Sequence, residues 1–374
     1  MEHIVVLGGG VIGLSCAFEC KRRGYEVTLL EANHCGGQAS GAAAGMLAPY
    51  SENGEGPDDF FQLCLHSLQL YANWQADIKQ SSGMSFEFVN SGSLYVAYHE
   101  ADVLALEERL KWQKDFGSSG ELLLGEKLYS MEPLISKEVV AAIYYPEESH
   151  VYAPDYVAAL VQACRNEGVN ILDQLGDVTL TEWQQRIELK SAVGDRFYGD
   201  RLVICSGAWT QRFEQDLALQ LPIYPIRGQI CAYEMSKIAI HHMVFSNQGY
   251  LVSKGNGTIV CGASEDIAGF DTTVTDKGIS RLLKWNKRLF PFLAYEQPFH
   301  SWAGLRPATQ DGFPLLGKLS RAAHIIVAAG HYRNGILLSP VTGKVVADLI
   351  DGTMNEQAIA AFSPNRFTER FTLR

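Results

Sequence analysis

Residues 1–31 read MEHIVVLGGGVIGLSCAFECKRRGYEVTLLE. Ile4–Leu7 is a short apolar run rich in β-branched residues, which suits a strand buried on both faces of a parallel sheet. Gly8, Gly10 and Gly13 follow as G-x-G-x-x-G, and a helical pattern begins within the motif. The first glycine permits a tight turn, the second lets backbone approach a pyrophosphate, and the third lets the helix lie against the strand. The helix start then presents free N–H groups and a partial positive charge to phosphates. A second strand runs to Glu31, where a carboxylate can accept from a ribose hydroxyl. The glycines alone would fit an ordinary loop. Strand, turn, helix, strand and acid together predict a dinucleotide-binding unit.

The chain around this unit has 374 residues, enough for two cores. It is 47% hydrophobic and 20% charged, as an ordinary globular protein is. Its net charge is −11, with no Lys/Arg cluster, which argues against a nucleic-acid or anionic-membrane partner. No apolar run approaches the roughly 18–20 residues that cross a bilayer. No basic and apolar leader precedes the first strand, so a cytoplasmic location is expected. The 8 cysteines are scattered without C-x-x-C or zinc spacing. Cys16 and Cys20 share a helix face, and all eight read as reduced thiols, with no metal site expected.

Further along, GGQASGAAAGMLAPY (36–50) offers small residues that would let backbone run against a flat ligand, or simply start an Ala-rich helix. SENGEGPDD (51–59) reads as a solvated acidic loop, with a lid as the alternative. Residues 60–80, 101–116 and 154–168 carry helical apolar spacing, and Phe86–Tyr98 is strand-like with a turn at Asn90–Gly92. VTLTEW, RIELKS and RFYGDRLVICSG form a β-meander. Four strands follow between 223 and 264, the last two joined at Lys254–Gly257. Residues 322–350 read strand, turn, helix.

Three places suggest a site. Trp302–Pro314, WAGLRPATQDGFP, reads as a Gly/Pro/Thr-rich loop whose tight turn holds Arg306. A guanidinium there fits a carboxylate through two parallel hydrogen bonds, although packing would also explain it. GHYRNGILL (330–338) starts a helix after a buried strand, and Asn334 and Gly335 permit close approach. That helix start would stabilise developing negative charge, or be a plain cap. Tyr250 opens a strand, where its phenol can donate to a carboxylate or merely pack. No nucleophile–base arrangement with a defining motif is present, so no catalytic side chain is assigned.

VLGGGVIGLSCAFE, SGAAAGML, VICSGAW, WAGLRPATQDGFPLLG and AAGHYRNGILLSPVTG together make the chain resemble the D-amino acid oxidase family of FAD-dependent amine oxidases. The resemblance is greatest to the glycine oxidase branch of the thiamin pathway and covers nearly the whole chain. It implies an α/β fold, with a Rossmann-like FAD-binding domain and β-meander interleaved with an α+β substrate domain on a mainly antiparallel sheet. The FAD-binding parts are expected at 1–82, 151–220 and 303–374, and the substrate parts at 83–150 and 221–302. Gly8, Gly10, Val11, Ile12 and Gly13 would hold the pyrophosphate, and Glu31 and Ala32 the adenosine ribose. Ala39, Ser40, Ala44, Gly45 and Met46 would line the cofactor, and Val178 would bond the adenine through its backbone. His331, Tyr332, Arg333, Asn334, Gly335, Ile336 and Leu337 would close over the flavin ring. Arg306 would grip a substrate carboxylate, helped by Tyr250, with Arg333 beside it.

The last cysteine is Cys261, so the resemblance implies non-covalent FAD. It also implies a small amino acid or amine substrate, dioxygen as acceptor, a functional link to thiazole synthase and a homo-oligomer, a tetramer by family. Gln248 stands where the branch has histidine, and Glu265 where it has methionine, both near the expected substrate entrance. Sarcosine or D-amino acid oxidation, a dehydrogenase with another acceptor, and a non-catalytic flavin-binding protein are the alternatives.

Overall fold

Ile4 and Val6 face one apolar core, while Val5 and Leu7 face another. That period-two alternation, buried on both sides, places His3–Leu7 in mid-sheet. It pairs in parallel with Glu26–Leu30 on one side and Arg201–Ile204 on the other. The resulting six-stranded sheet runs in the order 315–319, 322–329, 201–204, 3–7, 26–30, 170–172. Its first pair alone is antiparallel. The computed structural model describes residues 1–54, 56–235 and 240–367.

Helices Val11–Arg22, Asp59–Ser82, Ala153–Glu167 and Gly335–Asp351 share the core on one face of this sheet. The three-stranded antiparallel sheet of Val178–Glu182, Ile187–Ser191 and Arg196–Gly199 covers the other. The 196–207 stretch is not one meander strand. After Gly199 the chain leaves the small sheet, and Arg201–Ile204 joins the parallel one, because LVI is apolar on successive residues and needs burial on both faces.

The other large sheet has eight strands in the order 300–309, 223–234, 258–262, 249–253, 243–246, 93–97, 141–145, 121–124. It is antiparallel except where 243–246 meets 93–97. Helix Asp276–Leu289 packs on it. Phe86–Tyr98 divides between sheets: Phe88–Val89 pairs with Val151 and His150, and Ser93–Ala97 enters the large sheet.

Two further expectations need correction. Residues 51–59 are not a solvated loop throughout. Ser51 and Glu52 belong to a helical turn, Pro49–Glu52, where Ser51 is buried and the Glu52 side chain is largely covered, while Asp58 caps the next helix by accepting from the Phe61 N–H at 2.7 Å. Glu55 lies outside the described residues. Arg306 is not in a tight turn either. His300–Thr309 is a strand paired along its length with Ile223–Ala232, with Arg306 opposite Ile226. Pro307 is tolerated because this is the edge strand of the sheet. The tight turn falls at Gln310–Gly312, where Gly312 has φ +82°.

Candidate active site

A long cavity of about 260 Å³, partly open to solvent, runs between the two large sheets. Its wall reaches from the glycine turn at Gly8–Ile12 to Arg306 and Arg333, so the space suits an elongated ligand. At one end lies the glycine turn. A Cβ on Gly8, whose φ is +116°, would sit 2.4 Å from the Cys205 carbonyl oxygen, and one on Gly13 would sit 1.9 Å from that of Gly8. These two glycines are therefore demanded by backbone packing. Gly10 is different: a Cβ there would meet Ser40 Oγ at 3.3 Å, beside the cavity. The Val11 N–H donates to that same Ser40 Oγ at 2.9 Å.

Glu31 follows the second strand directly. It accepts from the Gly9 N–H at 2.6 Å and the Asn33 N–H at 2.8 Å, which fixes its carboxylate at the cavity wall. Arg212 pairs with Asp177 at 2.8 Å and donates to the Val178 carbonyl at 2.7 Å. The Val178 carbonyl is thus engaged within the protein.

Ala39, Ser40, Ala44, Gly45 and Met46 line the middle of the cavity. Gly45, at φ +78°, passes so close to Val151 that a Cβ would lie 2.1 Å from its carbonyl oxygen. The C-terminal α-helix, Gly335–Asp351, points its start at this region, with Gly335 and Ile336 on the wall. Pro340 inside that helix cannot donate to the Ile336 carbonyl, and the Tyr71 hydroxyl does so instead at 3.0 Å, anchoring the first turn. Neither this helix nor Val11–Arg22 has an acid in its first turn or a side-chain cap. The positive ends of both helices are left for anionic groups of a ligand.

The far end is built from side chains. Arg306 donates to the Ser264 carbonyl at 3.0 Å and lies across Gly228, where a Cβ would meet its guanidinium at 2.3 Å. Tyr250 is buried against Gly262, and burial raises its phenol against the lowering pull of Arg306 and Arg333. His331 is buried, bonds Thr342 Oγ1 through Nε2 at 3.0 Å, and is pulled down to about 3 by burial, so it is neutral at ordinary pH. Tyr332 has φ +46°, a region few non-glycine residues enter, and its N–H donates to the Pro307 carbonyl at 3.0 Å.

Arg333 is held by two carboxylates, Glu52 at 3.1 Å and Glu265 at 3.1 Å. Glu52 is placed by its own helical turn. Glu148, fully buried and pushed up to about 7 by burial, accepts from the Ser51 N–H at 2.8 Å and the Ser51 hydroxyl at 2.6 Å. Arg109 donates to the Tyr50 carbonyl at 2.6 Å and the Ser51 carbonyl at 2.8 Å.

Most of the residues singled out in the sequence therefore meet along one cavity. Gly13, Asn334 and Leu337 do not line it. Gly13 packs helix on strand, Leu337 belongs to the core, and Asn334 is a buried helix cap whose Oδ1 has no partner. Gln248 is also outside the cavity wall, with its N–H on Ser246 Oγ. Glu52, Trp209, Arg212, Gly228 and Ile230 line the cavity without having been singled out. Glu52 was masked by its acidic neighbours, and the tyrosine and proline before it were the available sign of burial.

The donor set fits a flavin dinucleotide. Two acid-free helix starts face one elongated space, Gly10 leaves room where a phosphate would approach, and small residues at 39–45 leave a flat wall. A family model described as FAD dependent oxidoreductase matches residues 3–349. The glycine oxidase of Geobacillus kaustophilus is 32% identical over 373 residues, 97% of this chain and 96% of that protein. The bifunctional protein ThiO/ThiG of Synechocystis is 31% identical over 375 residues, which are 98% of this chain and 54% of that protein. The crystal structure of glycine oxidase from Geobacillus kaustophilus matches with a TM-score of 0.92 at 31% identity, over 98% of this chain and 99% of that one. The family model, the sequence match and the structural match each span nearly the whole chain, and the chain belongs to the DAO family of FAD-dependent oxidoreductases.

Proposed function

We propose that the chain oxidises glycine and related small amines, converting glycine, dioxygen and water into glyoxylate, ammonia and hydrogen peroxide. The observation that carries this reading is the state of Arg306. Three arginines line the cavity, and among the described residues Arg306 alone has no carboxylate partner. It is the cation left for a substrate carboxylate. FAD, when bound, supplies the two-electron oxidation of the amine and the transfer of those electrons to dioxygen.

The phosphates of FAD are assigned to Gly8–Gly13, its ribose to Glu31 and Ala32, and its ring to Ala44–Met46 and the start of the C-terminal helix. The division into FAD-binding and substrate parts belongs to the same proposal, with the His300–Thr309 strand at their junction. Arg306 binds the carboxylate bidentately, and the Tyr250 hydroxyl donates to it, which orients the α-carbon within the cavity. Tyr250 keeps its proton for this because burial raises its phenol. No cavity side chain is a ready base. Glu52 is tied to Arg333, and burial, which pulls His331 down to about 3, makes that ring a poor proton acceptor. The substrate amine therefore gives up its proton to water before oxidation.

The likeness to ThiO/ThiG proteins, which carry a further segment beyond the matched part, supports a role in thiamin thiazole formation beside a thiazole synthase. A homo-oligomer is part of the same proposal. Among the described residues no helix is long and apolar enough to cross a membrane.

Arg306→Ala tests the reading. The KM for glycine should rise at least ~10-fold, about 1.4 kcal/mol of lost binding, while FAD stays bound. Unchanged kinetics with glycine, sarcosine, D-alanine and D-proline would rule it out.

A further inference from the structure

Glu265 joins three pieces of the site. Its Oε1 accepts from the Tyr332 hydroxyl at 2.9 Å and from Arg333 Nη1 at 3.1 Å. Arg333 Nη2 is taken by Glu52 at 3.1 Å. The two carboxylates differ in setting. The Glu52 side chain is 6% exposed and forms cavity wall, whereas the Glu265 side chain is 51% exposed and stands outside that wall, tied to it through Tyr332 and Arg333. Arg333 therefore spends both ends of its guanidinium inside the protein, and the group of three carries one net negative charge. Arg306, Arg333, Tyr250 and Tyr332 line the same cavity, and the Tyr332 N–H donates to the carbonyl of Pro307, the residue after Arg306.

A substrate that places its carboxylate on Arg306 meets, beyond it, a guanidinium already neutralised and two carboxylates. A neutral distal group asks nothing of that wall, and a cationic one is attracted to it. A second anionic group would be placed beside two carboxylates, at a guanidinium whose charge they already balance, which is a strong bar to binding.

We propose that Glu265 is a specificity-determining residue that restricts the site to amines with a single carboxylate, their distal end neutral or cationic, by withdrawing Arg333 from use as a second anion site. This rests on the amine-oxidase reading above and names its substrate class. Glu265→Gln keeps the shape and an acceptor for Tyr332 but removes the charge, which leaves Arg333 with Glu52 alone and Nη1 available to a distal carboxylate.

Two readouts on the FAD-loaded protein test this. Calorimetric titration compares acetate with malonate, which needs no turnover. The malonate-to-acetate ratio of Kd should exceed ~10 in the wild type and fall at least ~5-fold in E265Q. Steady-state oxidation compares sarcosine with iminodiacetate, and the sarcosine-to-iminodiacetate ratio of kcat/KM should fall at least ~10-fold in E265Q. Adding Arg333→Gln to E265Q should abolish both gains. Amine oxidation with the same selectivity in wild type and E265Q overturns the proposal alone. Binding of neither acid, together with oxidation of no amine, overturns it along with the reading beneath it. Thermal melting confirms that each variant is folded.

Discussion

Two helix starts border the cavity, and they are built differently. At Val11–Arg22 the work is done by backbone: Gly8 and Gly13 allow the approach of main chain to main chain, and Gly10 leaves the space beside Ser40. At Gly335–Asp351 the helix start is surrounded by side chains drawn from distant segments, with Arg333, Tyr332, Glu265, Glu52, Arg306 and Tyr250 all converging there. On the function proposed above, the first end holds the cofactor's phosphates, for which contiguous backbone suffices. The second end must tell one small amine from another, and that takes charge and shape placed residue by residue.

The largest effect should come from breaking the backbone end. Gly13→Val would put a branched side chain into a space where even a Cβ lies 1.9 Å from a carbonyl oxygen. Neither partner is flexible, so strand and helix must separate. We expect a melting temperature at least ~5 °C lower and FAD content below about a tenth of wild type, read by absorbance of the purified protein. Gly10→Ala is the contrast: its Cβ meets only Ser40 Oγ at 3.3 Å, so the fold should hold and FAD affinity alone should fall. Equal loss of stability in both variants would break the division of labour between these glycines.

Side chains titrate and backbone does not, so pH dependence should be sharper at the other end. His331 is held at about 3 by burial, against an ordinary value near 6.5. Between those two values the unfolded chain binds a proton that the folded chain refuses. Stability must therefore fall as pH drops below 6.5, by about 2 kcal/mol at pH 5 from this group. Urea midpoints at pH 7 and pH 5 should show that loss in the wild type, and His331→Gln should remove most of it. An equal loss in the variant would mean that the acid sensitivity comes from elsewhere.

The same contrast explains how much could be read from the chain itself. The backbone end was legible because each of its demands is local: apolar strand, spaced glycines, helix, terminal acid. The Lys254–Gly257 turn was legible for the same reason, and it does join Gly249–Ser253 to Thr258–Gly262. Arg306 does line the cavity, but its setting differs from the tight turn the local pattern suggests. Gly, Pro and Thr around it suggest a turn, and only the partner strand Ile223–Ala232, far away in sequence, makes it a strand at a sheet edge. Glu52 lies in the same short segment as Asp58 and Asp59, which do face water. Its burial depends on Glu148 and Arg109, which nothing within the 51–59 segment announces. Where a residue's role is fixed by a distant partner, local pattern carries no trace of it.

Gly228 is the smallest and most discriminating test of this comparison, because it is a glycine serving the side-chain end. It lies opposite Gly304 in the strand pair, and its φ is outside the positive range, so alanine suits the backbone there. The reduced freedom of the unfolded chain would even add about 0.4–1 kcal/mol of stability. The obstacle is the Arg306 guanidinium, 2.3 Å from the added Cβ, and this obstacle is a flexible side chain that can move. Gly228→Ala should therefore leave melting temperature and FAD content near wild type while displacing Arg306 from the substrate carboxylate. The KM for glycine should rise about three- to tenfold, since small misplacements of a positioning group are costly. A loss of FAD instead would mean that Gly228 serves the cofactor. An unchanged KM would mean that Arg306 holds its carboxylate by some route other than the position it takes across Gly228.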